Sequence, residues 1–198
     1  MTKQQVDQSK RRFLIAATSA MGGVASVAVA TPLFVSWLPS ERAKAAGAPV
    51  EVDVGKIELG AMITVEWRSK PVWIINRTKE MLDSLPKVAD KLADAELAVP
   101  QQPEYCKNAT RSRKPELMVM VGVCTHLGCS PSPRLKPGVD SGLGADWLGG
   151  FFCVCHGSPF DVAGRVFKGA PAPLNLEVPR HKYLTDTRLL IGEDEKGA

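Results

Sequence analysis

Residues 13–38 run without a charged side chain. At ~1.5 Å per residue, a helix of that length crosses the ~30 Å hydrocarbon core of a membrane. Beyond it the pattern changes to short β-rich apolar runs at residues 50–54, 62–67, 72–76, 117–123, 148–153 and 188–191. Arg68-Ser69-Lys70-Pro71 predicts a hairpin connection. Thr78 predicts a helix cap, with Met81, Leu82 and Leu85 as the apolar face and Pro86 as the stop. Residues 86–116 are polar and proline-containing, and predict a helix-plus-loop insertion between strands. Gly and Pro crowd 130–150 and 169–173, where loops can approach a site at little backbone cost. The expected fold is therefore mainly antiparallel β, preceded by a single N-terminal transmembrane helix.

Ahead of the apolar stretch stands Ser9-Lys10-Arg11-Arg12-Phe13-Leu14, which resembles a twin-arginine export signal. With Lys10-Arg11 as the pair, Phe13 and Leu14 fall where that pattern wants them; with Arg11-Arg12, Phe13 falls one place early. Positive charge is heavier before the stretch than after it, which predicts a cytoplasmic N-terminus and a periplasmic remainder. Ala43-Lys44-Ala45 also looks like a small-residue cleavage site, so a cleaved signal competes with an uncleaved anchor. In the anchor reading, 1–40 is signal and membrane helix, 41–49 an Ala/Gly-containing flexible hinge, and 50–198 the functional domain.

Charge narrows the function. Lys3, Lys10, Arg11, Arg12, Arg42 and Lys44 against Asp7 and Glu41 account for the whole formal +4, and the remaining 19 bases and 19 acids cancel. The functional domain has no basic excess, so no nucleic-acid partner is expected.

Four of the five cysteines fall in two short clusters, Cys124-Thr-His126-Leu-Gly-Cys129 and Cys153-Val-Cys155-His156-Gly-Ser158, which also hold two of the three histidines. Such mixed clusters between strands are what a loop-borne metal site requires. A set of two cysteines and two histidines suits tetrahedral zinc. In zinc fingers, however, one segment gives two cysteines and the other two histidines; here each segment offers both types plus a spare cysteine. Two cysteines on one iron and two histidines on the other is the alternative, a [2Fe-2S] cluster whose potential lies several hundred mV above all-thiolate clusters. Cys106 stands apart and reads as an unpaired loop thiol, and His181 as an ordinary surface or strand residue.

The two clusters resemble the two boxes of the Rieske iron-sulfur subunit of ubiquinol-cytochrome c reductase. Phe160-Asp161 through Gly164-Arg165-Val166 fits the same family, and Gly169-Ala-Pro171-Ala-Pro173 resembles its proline loop. The resemblance implies a Rieske-type β domain with an inserted cluster-binding part at about 117–176. It implies one [2Fe-2S] cluster, with Cys124 and Cys153 on the inner iron and His126 and His156 on the outer. It also implies a disulfide between Cys129 and Cys155, which needs an oxidising compartment and so agrees with the export signal.

The resemblance further implies an electron-transfer subunit of the cytochrome bc1 complex. His156, with His126 beside it, would meet ubiquinol and take an electron coupled to a proton. The electron would pass to a membrane-bound c-type cytochrome, with cytochrome b as the other partner, in a dimeric multi-subunit complex of the bacterial inner membrane that couples quinol oxidation to proton translocation. Ser158 would hydrogen-bond a bridging sulfide and raise the potential. Phe160 stands where many relatives carry a tyrosine that donates to a cysteine sulfur. Leu127, flanked by Gly128 and Gly157, would form an apolar docking tip together with Pro171 of the proline loop. A small Rieske subunit of another exported oxidoreductase such as arsenite oxidase is the alternative, and a zinc-stabilised structural module the non-redox one.

Overall fold

The computed structural model describes residues 7–197; the first six residues of the expected signal, Lys3 among them, and Ala198 lie outside that range. The chain divides into two compact units, Met1–Ala45 and Ala46–Ala198.

In the first unit, helix α1 runs over Gln8–Val35. Asp7 caps it by accepting from the backbone N–H groups of Ser9 and Lys10 at 3.0 and 3.3 Å, satisfying donors that the first turn leaves without partners. Three of its hydroxyls bond within the helix: those of Thr18, Ser26 and Thr31 donate back to the carbonyls of Leu14, Gly22 and Val27. The helix is long and apolar enough to cross a membrane. The expected hinge is not irregular from its first residue, because Glu41–Ala46 forms a short helix, α2. Ser40 Oγ accepts from the Ala43 backbone N–H, and Lys44 pairs with Glu41 at 2.7 Å. The Ala-rich composition that suggested a tether is also the best helix-forming composition.

The second unit is built from three three-stranded antiparallel sheets. β1 (Val50–Asp53) pairs with β9 (Arg188–Ile191), which pairs with β8 (His181–Tyr183). β2 (Met62–Trp67), β3 (Lys70–Asn76) and β4 (Leu117–Val121) form the central sheet. β5 (Ser132–Arg134), β6 (Gly150–Cys153) and β7 (Ser158–Asp161) form the third.

The central sheet is covered on both faces, and strand alternation divides its side chains. Val72, Ile74, Val119 and Val121 join Leu189 and Ile191 in one core, while Trp73, Ile75, Met118 and Met120 join Cys124, Phe151, Cys153 and Phe160 in the other. One apolar run per strand thus serves the scaffold on one side and the ligand loops on the other.

Sequence expectations meet these elements closely. The 62–67 and 188–191 runs coincide with β2 and β9, and the hairpin turns through Arg68 and Ser69, both at positive φ (51° and 57°) as a tight two-residue turn demands. Thr78 Oγ1 accepts from the Met81 backbone N–H and caps α3 (Lys79–Ser84).

The 86–116 insertion contains two 3-10 turns, Pro86–Lys91 and Glu104–Cys106, and otherwise little regular structure. Buried guanidinium groups hold it. Arg77 donates to the carbonyls of Thr110 and Pro115 and to Ser112, and Arg111 donates to the carbonyls of Gln101, Ala163 and Gly164 and to Gln102 Oε1. Burial pulls both arginines down to about 10, so they remain cations at neutral pH. Arg165 is neutralised by Asp161 in a buried ion pair at 2.6 Å.

Two single-residue readings change. Cys106 is a free thiol but lies wholly buried in a helical turn, where burial pushes it up to about 11. His181 is in a strand and not at the surface: it is 1% exposed, with Nδ1 2.8 Å from the Pro179 carbonyl and its ring edge-on to Tyr105. Local patterning cannot announce a histidine buried against a tyrosine 76 residues away in the chain.

Candidate metal centre

The first ligand segment leaves the end of β4. Two hydrogen bonds close it into a tight loop, Cys124 N–H to the Cys129 carbonyl at 2.7 Å and Gly128 N–H to the Cys124 carbonyl at 3.1 Å. The second is the connection between β6 and β7, closed by Gly157 N–H on the Cys153 carbonyl at 2.8 Å. Gly128 and Gly157 turn these loops at φ +84° and +80°, a backbone region costly for other residues. A third segment, 169–174, is tied to both: Ala172 N–H donates to Ser158 Oγ at 3.0 Å, and Thr125 Oγ1 donates to the Leu174 carbonyl at 2.6 Å.

These loops sort the predicted residues by depth. Cys124 and Cys153 are 2% exposed and free, at the inner end beside Ser158 and Phe160, both fully buried. His126 is half-buried, His156 is exposed, and their rings meet edge-on with centroids 4.6 Å apart. Cys129 and Cys155 are disulfide-bonded to each other, joining the two loops across 26 residues. At the outer rim, Leu127 is 71% exposed, with Gly128, Gly157 and Pro171 also in solvent. Val154, 61% exposed on the second loop, is a rim residue that sequence reasoning does not single out, because one apolar residue between two cysteines carries no pattern of its own.

Residues 60–180 match the family described as Rieske [2Fe-2S] domain. The chain belongs to that family. Residues 1–40 match a second description, the twin-arginine signal of the ubiquinol-cytochrome c reductase Fe-S subunit. The ubiquinol-cytochrome c reductase iron-sulfur subunit of Allochromatium vinosum is 55% identical over the whole chain and 95% of that protein. Its counterpart in Blastochloris viridis is 37% identical over 94% of each chain. A solved structure titled "Hyperthermophilic respiratory Complex III" aligns at TM-score 0.47 and 25% identity, covering 90% of this chain and 98% of that one.

The donors of this Rieske domain fit the cluster its family carries. His126 Nδ1 is buried with no hydrogen-bond partner, the condition of a nitrogen whose ligand is an iron. Cys153 Sγ also lies within 4.8 Å of the Cys129 and Cys155 sulfurs. That trio is no alternative ligand set, since two of its sulfurs are consumed in the disulfide and cannot act as thiolates. Burial raises the Cys124 thiol, with the neighbouring Cys153 adding to the effect, while the His126 backbone amide and the Ser158 hydroxyl act the other way. The same two donors would stabilise a metal-bound thiolate. Two buried thiols and two less buried imidazoles supply the two kinds of donor that a Rieske-type cluster uses.

Proposed function

We propose that this chain is the Rieske electron-transfer subunit of a ubiquinol-cytochrome c reductase, anchored by α1 in a bacterial inner membrane with its β domain in the periplasm. The observation that carries the reading is the gradient of depth at the centre: free buried thiols inside, a disulfide clamp between the loops, and an exposed His156 at an uncharged rim. Full-length likeness to a curated subunit of that name, twin-arginine segment included, supports it.

A [2Fe-2S] cluster, held by Cys124, Cys153, His126 and His156, supplies a one-electron couple of relatively high potential. The protein contributes the rest. A histidine that binds metal through one ring nitrogen keeps the other for hydrogen bonding. His156 is exposed, so its second nitrogen would be free to meet a quinol hydroxyl and accept its proton as the quinol gives up an electron. Leu127 and Val154 border the position and exclude water once seated in an apolar pocket on cytochrome b. Transfer onward to a membrane-bound c-type cytochrome requires the head to leave that pocket, and residues 41–49 are the segment assigned to the movement.

A low-temperature paramagnetic resonance spectrum of ascorbate-reduced membranes tests the reading. A rhombic signal with average g below that of all-thiolate clusters is expected. A signal that appears only with dithionite would replace the quinol-oxidising role with a low-potential one, and no signal with either would restore zinc.

A further inference from the structure

We propose that Trp73 is a positioning residue that sets the spacing of the two ligand loops, and through it the environment of the inner iron. The inference rests on the ligand assignment above. Trp73 lies in β3, 4% exposed, on the face that shares a core with Cys124 and Cys153. Its indole stacks on Phe151 with centroids 4.8 Å apart and planes 15° from parallel. On its other contact the indole occupies the space that a side chain at Gly122 would need: a methyl group built there falls inside the ring, 2.5 Å from Cζ2 and 2.7 Å from Cδ2.

The position of these two contacts is what matters. Gly122 precedes Cys124 by two residues, and Phe151 precedes Cys153 by two. A single rigid ring therefore separates the root of one ligand loop from the root of the other, across two different sheets. Gly122 is fixed from behind by its N–H on the Pro71 carbonyl at 2.8 Å, so it cannot retreat without breaking a strand hydrogen bond. It is not at positive φ, and the three atoms nearest to a Cβ built there all belong to the indole. Close-packed interiors transmit changes of even one methylene. The width of the Trp73 ring is thus transmitted to the two buried sulfurs.

The test is a double-mutant cycle in the full chain in detergent, using Gly122→Ala, Trp73→Leu, their combination, and Trp73→Phe as the milder variant. Iron per folded chain, the midpoint potential and the resonance line shape are measured beside circular dichroism and melting. Gly122→Ala should lose cluster several-fold, because the added methyl and the indole compete for one space. Trp73→Leu should keep a folded β domain with altered line shape and a shifted potential, and Trp73→Phe should lie between it and wild type. The combined variant should hold several-fold more cluster than Gly122→Ala alone. Wild-type line shape and potential in both Trp73 variants would overturn the proposal, reducing Trp73 to core filler. So would a combined variant no better than Gly122→Ala. Absence of a histidine-ligated signal in the wild type would instead remove the ligand assignment on which the cycle depends.

Discussion

His181 gives the domain an acid-labile joint, and its size follows from burial. The ring is nearly inaccessible, Nδ1 meets the Pro179 carbonyl at 2.8 Å, and Nε2 is buried without a partner. Arg113 faces it and opposes protonation, Glu195 and Asp194 favour it weakly, and Tyr105 and Tyr183 meet it edge-on. Burial, the largest influence, brings His181 down to about 4 from 6.5. A lowered folded value means that the unfolded chain binds more protons. Stability is therefore complete above pH 6.5 and is lost as pH falls toward 4. At about 1.36 kcal/mol per pH unit, the linked loss is about 2 kcal/mol by pH 5 and about 3 kcal/mol by pH 4. For a domain of this size that is roughly 6 to 12 °C in melting temperature. The assay compares melting of the full chain with His181→Gln from pH 7.5 to 4, carboxylate titration being common to both. The variant starts less stable, having lost the ring contact with Tyr105, and the gap should close by about 3 kcal/mol on acidification. Parallel curves would refute the reasoning, because they would mean that His181 binds its proton equally well in the folded and the unfolded chain.

Phe160 is fully buried on the same face of β7 as Ser158, so Phe160→Tyr should add one donor near the inner sulfurs. Taking ~0.5 to 1.5 kcal/mol for one hydrogen bond, the potential should rise by roughly 20 to 65 mV, checked by redox titration. Ser158→Ala removes a hydroxyl that now lies by Cys124 and accepts from Ala172, and should lower the potential while loosening the 169–173 loop. Cys155→Ser breaks the clamp between the loops, at a cost of about 3 kcal/mol, and should show as loss of visible absorbance at lower temperature. Prolines at Ala45 and Ala46 disrupt the last turn of α2 and stiffen the chain beyond it; quinol turnover should slow while the cluster spectrum stays unchanged.

The parts of the site that were legible in sequence are those whose chemistry depends on local spacing. Two mixed Cys/His segments offer their candidate ligands within six residues each, and the hairpin at Arg68-Ser69 and the cap at Thr78 are equally local. β5, β7 and β8 were missed for a physical reason. They are three or four residues long, and β5 and β7 contain Pro133 and Pro159, which count against strand. Both prolines are tolerated because β5 and β7 are the edge strands of their sheet. Arg77 and Arg111 were missed because a long cation is ordinarily at the surface. Here the irregular insertion leaves carbonyls without ladder partners, and a guanidinium with five donors is the side chain able to satisfy several at once.

That division also explains how the domain combines a labile site with a firm scaffold. The candidate ligand loops are each closed by short-range backbone bonds, and three neighbours hold them in place: the disulfide at the outer side, the 169–174 segment through Thr125 and Ser158, and the Trp73 face of the central sheet. The first two are bonds between loops and can be changed one at a time with the core intact. The third is packing, shared with the same strands whose opposite face, through Val72, Ile74, Val119 and Val121, holds the β1-β9-β8 sheet. A substitution at Trp73 therefore acts on the site without touching the second core, whereas one at Ile74 should do the reverse. Alternation along a single strand is what allows the redox centre to be adjusted independently of the scaffold that carries it.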